Sequence, residues 1–191
     1  MSILPETIKS TPTQSVRLPL RLDLFETLTA ALDYAADGET GCNFFNLRGE
    51  VSSTLPYSEL RRRARALARK LAARFERGSR IALVAETSPD FLITFFACQY
   101  AGLVPAPMPL PVNLGGKDGY LTQVRLMVQG SKASAAIGPA SLIDFLTAAL
   151  GGNSEAAVLD FAELNASEAE ADAVPFGPDE LCYIQYSSGS T

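Results

Sequence analysis

Histidine is absent from the 191 residues. Histidine triads, histidine metal ligands and a histidine general base are therefore excluded from whatever this chain does by itself. Cysteine is scarce: Cys42, Cys98 and Cys182 are widely spaced, odd in number and form no CxxC pair. Neither a zinc site nor a disulfide framework is supported, and small buried thiols in a reducing compartment are expected. Long apolar runs are missing as well. Residues 1–10 hold no apolar signal core, and no stretch approaches the length of a bilayer span. A cytoplasmic protein with no membrane span is the expectation.

Basic residues are missing from the last third. None follows Lys132, whereas Asp144, Glu155, Asp160, Glu163, Glu168, Glu170, Asp172, Asp179 and Glu180 do. At a formal net charge of −5, a nucleic acid would meet a repulsive tail, so no nucleic-acid partner is expected. Half of the sixteen Lys and Arg residues fall within residues 61–77. One basic helix on an acidic protein is a poor nucleic-acid footprint, and its arginines are expected to form a solvated outer face. The Walker pattern G-x-x-x-x-G-K-[ST] and the dinucleotide pattern G-x-G-x-x-G are both absent.

What is present suits a packed domain: 47% apolar and 19% charged residues. Residues 1–20 carry three prolines and read as an arm. Leu24, Leu28, Ala31, Leu32 and Ala35 have helical spacing, ended by Asp37-Gly38. Residues 42–47 and 51–55 flank Arg48-Gly49-Glu50 and predict a hairpin. Leu60, Ala64, Leu67, Ala68, Leu71 and Phe75 form one apolar stripe, stopped by Gly78. Residues 81–85 predict a strand covered on both faces. Ser88-Pro89-Asp90 then starts a helix over 91–100 that should be buried, closed by Gly102. Residues 103–106 are extended, and Pro105, Pro107, Pro109 and Pro111 favour an extended path. Helices over 121–128 and 141–150, and strands over 133–137, 158–161 and 181–186, follow, with an acidic linker over 166–173. This alternation predicts an α/β fold: a largely parallel sheet with flanking helices.

The predicted last strand runs straight into Ser187-Ser188-Gly189-Ser190-Thr191. Glycine allows close backbone approach, successive amide N–H groups form an anion nest, and the hydroxyls donate to phosphate oxygens. By itself such a run also suits a flexible tail or linker. It breaks off where a further element should follow, which suggests a piece of a longer protein.

Tyr186-Ser187-Ser188-Gly189-Ser190-Thr191 resembles the start of the phosphate loop of adenylate-forming enzymes, the superfamily of acyl-CoA synthetases and nonribosomal adenylation domains. Leu55-Pro56-Tyr57-Ser58-Glu59-Leu60 resembles its L-T-Y-x-E-L helix start. Residues 98–107, Cys-Gln-Tyr-Ala-Gly-Leu-Val-Pro-Ala-Pro, resemble its A-G…V-P segment. Within the superfamily, residues 95–116 and 181–191 are most similar to fatty acyl-AMP ligases. Pro56 and Ser187 both stand where the family usually has threonine. Pro56 cannot supply a capping hydroxyl, whereas Ser187 keeps one.

The resemblance implies that residues 21–191 are the amino-terminal subdomain of the AMP-binding domain, truncated within the phosphate loop. It implies ATP and Mg²⁺ in the complete enzyme, a fatty acid substrate, and transfer to the phosphopantetheine of an acyl carrier protein. Ser187, Ser188, Gly189, Ser190 and Thr191 are its candidate contacts to the β- and γ-phosphates. It implies no catalytic residue and no metal ligand in this chain, which alone is expected to be inactive. Tyr57, Glu59 and Leu60 are read as structural, and Phe95, Phe96 and Tyr100 as core. A fatty acyl-CoA ligase shares these motifs. A non-catalytic α/β interaction module is the alternative of another class.

Overall fold

In the computed structural model, which describes residues 18–21, 25–110, 116–151 and 154–187, the first regular element is α1 (Leu28–Ala35). The Thr27 hydroxyl caps it, accepting the Ala30 N–H at 3.1 Å. Leu24, part of the predicted stripe, lies outside the described residues. β1 (Gly41–Phe45) and β2 (Val51–Pro56) form the expected antiparallel hairpin. α2 (Tyr57–Arg74) follows without a side-chain cap, as proline at 56 requires. It buries Leu60, Ala64, Leu67, Ala68 and Leu71. Phe75, the last residue of that predicted stripe, is already extended and lies past the helix end.

β3 (Arg80–Val84) leads to α3 (Pro89–Ala101), which starts as its sequence predicts. The Ser88 hydroxyl accepts the Phe91 N–H at 3.3 Å, proline opens the first turn and Asp90 sits in it. The helix closes at Gly102, whose φ of 65° is left-handed, with the Leu103 N–H returning to Cys98 O at 2.9 Å. β4 (Val104–Met108), α4 (Gly116–Ser131), β5 (Ala135–Gly138), α5 (Ile143–Leu150) and β6 (Ala157–Asp160) complete the alternation. The sheet order is β4-β3-β5-β6, and every neighbouring pair is parallel.

The continuous apolar run of β3 has a simple cause. Ile81 and Leu83 pack beneath α2 and α3, whereas Ala82 and Val84 join Val124 of α4 and Leu146 of α5 on the other face. Successive strand residues point to opposite faces, so a strand covered on both must be apolar throughout. Tyr100 is buried as expected, but Phe91, Phe95 and Phe96 are only partly so.

The arginines of α2 are half-buried (Arg61, Arg63) or exposed, but not merely solvated. Arg61 pairs with Asp37 at 3.0 Å and Arg65 with Asp33 at 2.9 Å, both carboxylates lying on or just after α1. On the other flank, Arg69 meets Glu170 at 2.9 Å and Arg74 meets Glu163 at 3.4 Å. The acidic last third thus folds back across the basic helix. Each exposed pair contributes at most about 1 kcal/mol, so the array acts on register more than on stability.

Two expectations are corrected. Residues 161–166 form a short helix, α6 (Phe161–Ala166), ahead of the irregular acidic stretch. The Asp160 carboxylate caps it, accepting the Glu163 N–H at 2.6 Å. Residues 181–186 are not a strand. They lie along the outer edge of β4, whose inner edge is in use: Val104 N–H bonds Ser79 O, and Met108 O accepts Ala85 N–H. Alternation then turns Pro105 and Pro107 outward, and proline has no N–H to give. The outer edge offers acceptors without donors, so a reciprocal ladder cannot form.

Candidate functional site

The candidate loop is delivered by residues 174–187, and Arg77 holds the start of that segment. Its guanidinium donates to Val174 O, to Pro175 O at 3.1 Å, and to both Glu180 oxygens at 2.9 and 2.7 Å. It also lies 5.4 Å from the centre of the Phe176 ring. Glu180 is held twice, because Oε2 accepts the Gly177 N–H at 2.7 Å. That backbone bond first, and Arg77 second, hold the Glu180 carboxyl below the usual glutamate range.

The pH dependence follows from that direction. A depressed native pKa means that the folded chain binds fewer protons than the unfolded one in the window below the ordinary glutamate range. The stabilisation is complete above that range and is lost as pH falls through the depressed value. Glu180→Gln is therefore expected to flatten the acid limb of the thermal midpoint against pH. An acid limb identical to the wild type would show that the carboxylate is not linked to folding.

Past Glu180, three hydrogen bonds guide the chain. Gln99, 2% exposed in α3, donates its side-chain amide to Cys182 O at 2.5 Å. The Ile184 N–H donates to Pro105 O at 2.9 Å. The Tyr186 hydroxyl donates to Met127 O of α4 at 2.8 Å. The Tyr183 ring meets Phe95 edge-on, with centroids 6.3 Å apart. Tyr186 also borders an open groove of about 440 Å³ with Gly119, Thr122, Gln123, Leu126 and Met127.

Ser187 is exposed at the end of this path. Ser188, Gly189, Ser190 and Thr191 lie outside the described residues, so of the five candidate phosphate contacts only Ser187 is placed. Sequence reasoning missed Gln99, Arg77 and Glu180. A signal existed for Gln99: it is a lone amide in a helix that is otherwise apolar over residues 95–101.

Burial pushes the Cys98 thiol up to about 12, which leaves it a packing residue and not a nucleophile. Cys42 and Cys182 are half-buried, and all three thiols are free. Away from the loop, the Tyr100 hydroxyl donates to Asp33 at 2.5 Å, and Arg65 bonds both Asp33 oxygens. Burial, reinforced by Asp33 and opposed by Arg65, raises the Tyr100 pKa. Among the described residues, no group of three or more cysteine, aspartate or glutamate side chains is placed to hold a metal ion. Nor is any helix among them long and apolar enough to cross a membrane.

The sequence profile described as "AMP-binding enzyme" matches residues 43–191. A Caulobacter vibrioides protein, named provisionally as an acyl-CoA synthetase, is 46% identical over 182 residues, which are 95% of this chain and 32% of that protein. A solved structure from a study of the fatty acyl-adenylate ligases of E. coli and L. pneumophila is 37% identical. It superposes with a TM-score of 0.84 over 90% of this chain and 31% of that one. A fatty acyl-adenylate ligase from L. pneumophila, solved with acyl adenylate and pyrophosphate, shares the fold at 23% identity and a TM-score of 0.68, over 87% of this chain and 29% of its own. The chain spans about a third of the length of each of these three relatives.

Proposed function

Because the chain belongs to the AMP-binding enzyme family, we propose that it forms part of a ligase that activates a fatty acid as its acyl-adenylate. The family implies use of ATP. In the proposed reaction a carboxylate oxygen attacks the α-phosphorus, the bond to the bridging β-phosphate oxygen breaks, and pyrophosphate leaves. Nucleophile and polyphosphate are both anionic, so the protein must hold the leaving group without adding charge that would retain it. The hydroxyls of Ser187, Ser188, Ser190 and Thr191 and the backbone at Gly189 suit that task. Mg²⁺, when bound, would screen the phosphates. The phosphopantetheine thiol of a carrier protein then attacks the acyl carbon, the bond to the adenylate oxygen breaks, and AMP and the thiol proton leave. ATP and free thiols are cytoplasmic reagents, which is the setting this reading requires.

The observation that carries the reading is the likeness to a fatty acyl-adenylate ligase structure at 37% identity over 90% of the chain. The 46% identity to a protein named as an acyl-CoA synthetase favours a second reading, in which coenzyme A takes the acyl group. The experiment uses the product of the complete reading frame with ATP, Mg²⁺ and fatty acids. Acyl-adenylate that accumulates and discharges to a phosphopantetheinylated carrier protein, but not to coenzyme A, is the expected result. Rapid acyl-CoA formation selects the second reading. Absence of adenylate with every acid tried leaves the non-catalytic α/β module. Within an active protein, Ser190→Ala or Thr191→Ala alone is expected to lower kcat/KM for pyrophosphate release about ten- to a hundredfold. No change in either variant would remove the loop assignment.

A further inference from the structure

We infer that the tip of the β1–β2 hairpin docks on a lipid surface, with Phe45, Leu47 and Val51 entering the acyl boundary and Arg48 reaching the headgroup phosphates. The hairpin is anchored away from its tip, where Phe44 and Leu55 lie in the core. Single exposed apolar side chains are ordinary, but three within residues 45–51 form a patch at one turn. Phe45 and Val51 are 58% and 53% exposed, and Leu47 between them is fully exposed. A bulge brings the first two together. Phe44 pairs with Ser53, so a regular register would set Phe45 against Ser52. The register shifts there, and Phe45 meets Val51 instead. Ser52 is the extra residue, and its hydroxyl donates to Phe44 O at 3.0 Å. The result is an apolar cross-strand pair on the solvent side, where it gains nothing from the core.

The turn is closed more completely than water requires. The Asn46 N–H donates to Glu50 O at 2.9 Å, and the Gly49 N–H to Asn46 O at 3.0 Å. The Asn46 side-chain carbonyl accepts the Arg48 and Glu50 N–H groups at 2.9 and 3.0 Å. Its side-chain amide donates to Glu50 Oε2 at 2.8 Å, which occupies the only carboxylate within residues 45–51. Water would satisfy these groups without help, whereas in an apolar medium each bare N–H is expensive. Arg48 makes no ion pair among the described residues. Its long stem lets the guanidinium stay at the phosphates while its apolar neighbours sit deeper. Area selects the occupant. A stable protein interface buries roughly 800 Å² per partner, and three side chains on one turn fall well short of that. A bilayer needs no complementary shape and holds a few apolar side chains weakly and reversibly. At a net charge of −5, the drive is insertion and not attraction to anionic lipid.

A bilayer is also where a long-chain fatty acid dissolves, which suits the ligase reading, but docking is measured without ATP or acid and stands or falls apart from it. The test sediments the product of the complete reading frame with phosphatidylcholine vesicles, with and without phosphatidylglycerol. Wild type is expected to bind both, with partitioning that changes less than about twofold as salt is raised. Leu47→Ser is expected to reduce partitioning about tenfold, and Phe45→Ser combined with it about a hundredfold. The thermal midpoint of Leu47→Ser should stay within about 2 °C of wild type, since the side chain it removes is exposed. Leu47→Trp places a reporter at the tip, and its emission is expected to be quenched by lipids brominated on their acyl chains. No vesicle binding by wild type, or equal binding by Leu47→Ser, overturns the proposal. So does a Leu47→Trp signal that only an aqueous quencher reaches. Binding that requires phosphatidylglycerol and vanishes in salt moves the contact to a charged surface and overturns it as well. A protein captured through Leu47 in the absence of vesicle binding does the same.

Discussion

Gly102→Ala is expected to destabilise the fold by about 2–4 kcal/mol. Two effects add. Gly102 sits at φ 65°, where an L side chain costs about 1–2 kcal/mol. A Cβ there would also lie 2.1 Å from Arg77 Nη1 and 2.9 Å from Val174 O. A guanidinium can swing away, but this one bonds Val174, Pro175 and Glu180, and the carbonyl is backbone. Relief at Gly102 therefore loosens the Arg77 clamp. In a chain of this size the thermal midpoint should fall by roughly 5–15 °C. Gly130→Ala is the control. It lies within α4 at an ordinary φ with nothing near its added methyl, and is expected to stabilise by about 0.5–1 kcal/mol. Equal effects at the two glycines would show that the close approach at Gly102 relaxes freely.

Leu71→Ala is expected to cost about 3–4 kcal/mol. Leu71 is 0% exposed and belongs to the cluster in which α2 and α3 cover Ile81 and Leu83 of β3. Truncation removes apolar burial and leaves a cavity between a helix pair and a central strand, where the sheet cannot collapse to fill it. Leu47, fully exposed at the hairpin turn, supplies the comparison: Leu47→Ala should stay within about 0.5 kcal/mol. Urea titration with an unchanged m value checks both. A loss below about 1 kcal/mol for Leu71→Ala would mean that the helix shifts inward and that the layer is looser than its burial implies.

The starts of α2 and α3, the hairpin and the parallel strands were legible because their signals are local, whereas α4 begins at Gly116, five residues ahead of the expected 121. Ser88-Pro89 and Gly102 punctuate α3, and the period of Leu60 to Leu71 announces α2. α6 was not read, although Asp160 and Glu163 stand three apart as a cap requires, because Phe161 and Leu164 alone give too little periodicity. The ion pairs of α2 were illegible for a different reason: Arg69 and Glu170 are 101 residues apart, and pairing across the fold leaves no mark in either neighbourhood. The extended segment 181–186 carries every mark of a strand. What denies it a ladder with β4 is the proline pattern of that strand, which a window around 181–186 does not contain. The candidate phosphate loop was read as a motif, and of its five residues only Ser187 is placed; the path to it depends on Arg77, Gln99 and Tyr186 and emerges only from the folded arrangement.

The proline pattern of β4 also bears on how the chain survives its own synthesis. Translation exposes β4 before α4, β5, α5, β6 and the covering segment exist, an interval on the order of seconds. During that time a sheet edge is normally an invitation to a neighbouring nascent chain. Two copies of β4 placed outer edge to outer edge would set carbonyl against carbonyl at residues 105 and 107, with no hydrogen between them. The edge cannot template itself. It accepts only a segment that brings its own N–H groups, and Ile184, in the extended segment tethered within the same chain at high effective concentration, brings one to Pro105 O.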